Sequence, residues 1–140
     1  MKRLPYILIL ITAFAVIGIA QRIENGSRKT VGYISSSGTV ENGSRATLGY
    51  INADGRVENS SRSTLGYLNK DGRVENGGRS TLGYINADGR VENSSRSTLG
   101  YVNSNGRVEN GSRSTIGYAE GVDQRHAALF FFFFFKPGSE

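Results

Sequence analysis

The stretch Arg62-Ser63-Thr64-Leu65-Gly66-Tyr67-Leu68-Asn69-Lys70-Asp71-Gly72-Arg73-Val74-Glu75-Asn76 reads as a long strand, a turn and a short strand. Asn69 starts a type I turn through its side chain. Gly72 accepts the left-handed backbone that closes a bulged hairpin. Successive side chains of an extended chain point to opposite faces. Leu65 and Tyr67 therefore share one face, and Thr64, Gly66 and Leu68 share the other. Both faces carry apolar groups, so the sheet is expected to be covered on both sides near its middle.

The same pattern recurs on either side of this stretch. Gly-Tyr pairs end at Tyr33, Tyr50, Tyr67, Tyr84, Tyr101 and Tyr118, always 17 residues apart. Val40, Val57, Val74, Val91 and Val108 each open a Val-Glu-Asn, and Ile23 opens the equivalent Ile-Glu-Asn. Residues 49–65 and 83–99 are identical, so the units cannot each hold a different catalytic role. A fixed period of this length marks a repeat architecture. The simplest reading stacks these Val and Tyr residues, with Leu, as a repeating core and leaves Arg and Glu facing water. Six Tyr at one repeat position are read as packing in preference to a binding surface.

Strands this short need neighbours. The repeat region, residues 21–119, begins with a short strand at Arg22 to Asn25 and ends with a long one at Arg113 to Ala119. Pairing those two leftovers would complete a sixth hairpin and close the sheet, removing its exposed edges. An open solenoid fits the period too, but should need distinct caps. The expected fold is therefore all-β: six 17-residue hairpins in a closed, shallow, symmetric barrel.

Residues 120–140 contain the run Phe130, Phe131, Phe132, Phe133, Phe134 and Phe135, ended by Lys136-Pro137-Gly138. Asp123 is a candidate N-cap for a helix entering this run. An α-helix over Ala127 to Phe135 would be only about 13–14 Å long, too short to cross a bilayer. It is expected either to plug the barrel or to act as a wedge at a membrane surface.

Residues 1–20 form the third region. Lys2 and Arg3 precede an apolar run from Leu4 to Ala20 that ends in small residues. This describes a secretory signal peptide cleaved before Gln21, or an uncleaved N-terminal membrane anchor. Either predicts an exported chain that is periplasmic, extracellular or held on the cytoplasmic membrane. The chain has no Cys and one His, His126, which excludes disulfides and a lipoprotein anchor and provides no metal-ligand cluster. A net charge of +5 is spread among alternating Arg and acidic residues, so nucleic acid is not the expected partner.

The repeated Gly-Tyr-x-Asn-x-Asp-Gly-Arg-Val-Glu-Asn hairpins, followed by an apolar C-terminal segment, resemble the bacterial β-flower proteins. In that family short hairpins are arranged like petals in a shallow barrel. The shape is similar to the Tubby C-terminal domain, a twelve-stranded barrel around a hydrophobic helix. The resemblance covers about Ile23 to Phe135 and implies a fold, with no catalytic residues to transfer. Tubby domains bind phosphoinositides through basic surface residues, so lipid binding is implied by analogy of shape alone.

The remaining motifs have plain readings. Asn-x-Asp-Gly lacks the further oxygen ligands of a calcium loop. Asn25-Gly26-Ser27 and its equivalents match a glycosylation pattern but stand where a turn is needed, and Asn76-Gly77-Gly78 breaks the pattern. Every Ser is a repeat or turn residue, which argues against a Ser-His-Asp centre with His126. The expectation is a non-enzymatic scaffold or binding module of the cell envelope, without metal or small-molecule cofactor. Its partner would be membrane lipid or another envelope component. The alternative is a peripheral lipid-binding protein that uses the Phe run.

Overall fold

The computed structural model describes residues 20–136. The proposed signal or anchor, apart from Ala20, lies outside the described residues.

Twelve antiparallel strands close into one barrel, each hydrogen-bonded to its neighbours in sequence. The long strands are β2 (Thr30–Ser35), β4 (Thr47–Ile51), β6 (Thr64–Leu68), β8 (Thr81–Ile85), β10 (Thr98–Val102) and β12 (Thr115–Tyr118). Between them run the short strands β3 (Thr39–Asn42), β5 (Arg56–Asn59), β7 (Arg73–Asn76), β9 (Arg90–Asn93) and β11 (Arg107–Asn110). The first strand, β1 (Ala20–Asn25), pairs with β12 through Glu24 opposite Tyr118 and Asn25 opposite Gly117. The first and last strands of the repeat region thus close the ring as the sequence predicts, and the open solenoid is excluded.

Two kinds of turn alternate, and both use the same hydrogen bonds. At Asn52-Ala53-Asp54-Gly55, the Gly55 amide donates to the Asn52 carbonyl, and the Asn52 amide to that of Arg56. Gly55 has φ +95°, and a side chain there would overlap the Leu68 carbonyl oxygen that defines the next strand. At Asn59-Ser60-Ser61-Arg62, the Arg62 amide donates to Asn59 and the Asn59 amide to Ser63. The left-handed position is now held by Arg62, at φ 72°. Asn59 Oδ1 steadies this turn by accepting from the Ser61 and Ser63 amides at 2.9 and 3.0 Å. Just beyond it, pairing shifts register between Val57 and Glu58, which leaves Leu65 as the extra residue of a bulge.

The core lies inside the ring. Ile23, Val40, Val57, Val74, Val91 and Val108 are fully buried, with Ile34, Ile51, Ile85 and Val102 nearly so. The chain leaves β12 through a turn into α1 (Gln124–Ala128), whose N-cap Asp123 accepts from the amides of Arg125 and His126. Gln124 Nε2 donates to the Val102 carbonyl at 2.8 Å, and Arg125 reaches the Lys70 carbonyl at 2.9 Å, which fixes α1 against the Asn-x-Asp-Gly turns.

The expected α-helix does not continue into the Phe run. Leu129–Phe133 opens into a π-helical turn, with the Phe134 amide donating to the Leu129 carbonyl at 2.9 Å. The reason is geometric. Each glycine of the Gly-Tyr pairs faces a different Phe ring: Gly32 meets Phe130, Gly117 meets Phe131, Gly100 meets Phe132, Gly83 meets Phe133, Gly66 meets Phe134 and Gly49 meets Phe135. Consecutive rings therefore walk once around the barrel, strand pair by strand pair. An α-helix turns about 100° per residue, whereas six rings on one circuit need about 60°, so the winding must widen.

Candidate functional site

On the outer wall, the Glu of four Val-Glu-Asn sites sits between two arginines, whereas Glu41 meets Arg45 alone because Thr39 stands where the others have Arg. Glu58 Oε1 accepts from Arg62 at 2.8 Å, and Glu58 Oε2 lies 2.8 Å from Arg56. Glu75, Glu92 and Glu109 repeat the arrangement with Arg79 and Arg73, Arg96 and Arg90, and Arg113 and Arg107. An Asn side chain adds a third donor where Asn86 reaches Glu92 at 3.1 Å. These four carboxylates are buried, contrary to the expectation that Glu faces water. The fork of two guanidiniums supplies the hydrogen bonds that burial would otherwise remove. Bonds from Arg62, Arg79, Arg96 and Arg113, before any other cause, hold these glutamates below the usual carboxylate range, against the opposing effect of burial.

The same arginines cover the tyrosines. Arg62 lies 3.6 Å above the Tyr50 ring, Arg45 lies 3.8 Å above Tyr33, and Arg28 closes the series over Tyr118 at 3.6 Å. Tyr67, Tyr84 and Tyr101 are stacked in the same way beneath Arg79, Arg96 and Arg113. All six tyrosines are half-buried and sit under guanidinium lids on the outer face, whereas the five valines fill the interior. The left-handed backbone at Arg62 and its equivalents is the link, because that position aims the side chain back along the wall. Nothing in residue type announces it, since Gly or Asn usually occupies such a position. The recurring spacing of Glu and Arg, four residues apart in every unit, is the signal that could have revealed it.

Inside, the Phe run is divided by burial. Phe130 is fully buried, Phe131 and Phe135 are nearly so, and Phe132, Phe133 and Phe134 are partly exposed. At the Asn-x-Asp-Gly end, α1 borders a cleft of about 470 Å³ lined by Asn52, Asp54, Lys70, Asp123, Arg125 and His126 among others. His126 is partly buried, and that burial lowers its pKa, partly offset by the Asp123 carboxylate. Among the described residues no three His, Cys, Asp or Glu side chains come together as metal ligands. No described helix is long and apolar enough to cross a membrane.

This construction, a closed barrel of short hairpins around an apolar C-terminal turn, matches a family model described as "5-fold beta-flower protein" over residues 20–135. The chain belongs to the 5-fold β-flower family. The resemblance read from the Gly-Tyr hairpins is thereby shown at the level of the family. This β-flower chain carries the Gly-Tyr pair six times and has twelve strands among the described residues, against the five-fold description of its family. No curated protein and no solved structure matches it.

Proposed function

We propose that this β-flower is an exported, non-enzymatic scaffold or binding module of the cell envelope, built from six equivalent hairpin units plugged by the Phe run. The observation that carries the reading is the equivalence of the units. The same Arg–Glu–Arg fork and the same Arg-over-Tyr stack recur around the wall, and the interior is taken up by the chain's own aromatic rings. Such a surface offers repetition in place of a single reactive constellation. Export is supported by Lys2, Arg3 and the apolar run that follows them.

A reporter that is active only outside the cytoplasm, fused after Glu140, tests the address. It is expected to be active with the full chain and inactive when residues 1–20 are removed. An inactive full-length fusion would contradict export. N-terminal sequencing of the accumulated protein separates cleavage before Gln21 from an anchor.

A second reading, lipid contact through the aromatic run, draws on the partial exposure of Phe132, Phe133 and Phe134. Co-sedimentation with anionic liposomes that persists when these three are changed to Ser would remove it.

A further inference from the structure

The charges of this barrel are unevenly distributed. The outer wall carries Arg22, Arg28, Arg45 and the four pairs flanking Glu58, Glu75, Glu92 and Glu109, or eleven arginines against the six glutamates of the Val-Glu-Asn and Ile-Glu-Asn sites. The excess is +5, equal to the net charge of the whole chain. By contrast, Asp54, Asp71 and Asp88 stand in the Asn-x-Asp-Gly turns at one end, with Asp123 near them. Lys70 and Arg125 offset part of their charge there, while Glu120 reaches back to Arg28 of the belt at 3.5 Å. The positive belt is also exposed. Side chains of Arg56, Arg73, Arg90 and Arg107 remain 46–49% accessible, although the glutamates they flank are buried.

Each fork satisfies one carboxylate with two guanidiniums. A guanidinium has five N–H donors, so every fork keeps unused donors and one uncompensated charge facing outward. Forks recur every second strand except at Glu41, about 10 Å apart at usual strand spacing, around a ring of about 60–75 Å. The outer tyrosine faces of this wall are already covered by guanidiniums at 3.6–3.8 Å, so the belt itself does not offer them as platforms for stacking nucleobases.

We propose that this belt binds a flexible, linear, phosphate-bearing polyanion without bases, wrapped around the barrel wall. The inference rests on the reading of the chain as a binding module and names the chemistry of its partner. Each phosphate would bridge guanidiniums of one fork or of adjacent forks, and bound counterions would be released as the polymer engages successive forks. The acidic turns at one end would keep the polymer on the wall.

The test uses the purified full chain and a length series running from inorganic phosphate through tripolyphosphate to long-chain polyphosphate. Affinity is expected to rise with length, level off once the polymer encircles the belt, and fall steeply with salt. The variant R56Q/R73Q/R90Q/R107Q removes four charges and leaves each glutamate its second arginine. It should bind long polyphosphate at least about tenfold more weakly at low salt and with a shallower salt dependence. Its melting curve shows whether the fold is kept. The variant D54N/D71N/D88N raises net charge by three away from the belt. Asn105 already plays the Asp role in one turn, accepting from the Arg107 amide at 3.0 Å, so the turns should hold. Its affinity should stay within about twofold of the parent.

Three results would overturn the proposal. They are equal binding by the folded belt variant, tightening by the Asp variant in proportion to net charge, and tighter binding of single-stranded DNA than of polyphosphate with the same number of charges. None of them bears on export, which the reporter fusion reads separately.

Discussion

Phe134 lies against Gly66 so closely that a methyl group added to the glycine would come within 2.6 Å of the ring and would also overlap the Glu75 carbonyl oxygen. The glycine is therefore a seat for the ring. Gly66→Ala should destabilise the barrel by about 3 kcal/mol, because the β6–β7 backbone blocks any simple shift. In a double-mutant cycle, Phe134→Leu should recover part of that loss. Additive effects in urea unfolding would show that ring and glycine are not in contact.

Phe130 is the most deeply held of the run, and Phe130→Ala should cost about 3–5 kcal/mol in chemical denaturation. Phe133→Ala, at a partly exposed ring, should cost less. The reverse order would contradict this ranking of burial.

The left-handed arginines make an unusual forecast about glycine. Arg62→Gly keeps the φ of 72° accessible but removes the stack on Tyr50 and one arm of the Glu58 fork. Arg62→Ala removes the same contacts and adds backbone strain. The Ala variant should melt at a lower temperature than the Gly variant, against the usual preference for Ala over Gly. Equal melting temperatures would argue against a left-handed Arg62.

Acid should loosen the wall. Glu58, Glu75, Glu92 and Glu109 have folded-state pKa values below the ordinary one, chiefly through bonds from their arginines. Groups of this sign contribute stability that is fully present above the unfolded carboxylate value of about 4.3. That stability is lost as pH falls through the depressed folded values. His126, lowered by burial, acts in the same direction, with its loss beginning as pH falls below its ordinary value of 6.5. Melting temperature should thus decline gently below about pH 6.5 and steeply below about pH 4.3. A maximum at acid pH would contradict the fork.

Much of this architecture was legible beforehand because it depends on spacing. Asn69-Lys70-Asp71-Gly72 announces its turn through residue chemistry, and the orphan strand at Ile23 announces ring closure through count. The N-cap at Asp123 was legible for the same local reason. The burial of Glu58 was not, because Arg62, four residues on, closes over it only from a left-handed backbone that its residue type disfavours. The lidded position of Tyr50 was missed with it, since Arg62 reaches the ring only from a backbone conformation that its residue type disfavours. The widened winding after Leu129 follows from the size of a barrel that local propensity does not encode. The sequence nevertheless held a hint, in its equal numbers of consecutive phenylalanines and Gly-Tyr pairs.

That equality is the central claim, and a length series of the aromatic run tests it most directly. Chains with five, six and seven consecutive Phe, otherwise identical, should be compared by thermal unfolding. With one ring seated on each glycine, six should give the highest melting temperature. Five would leave a glycine wall uncovered, and seven would force a ring out of its seat. A melting temperature that rises steadily with Phe count, or does not respond to it, would contradict the account.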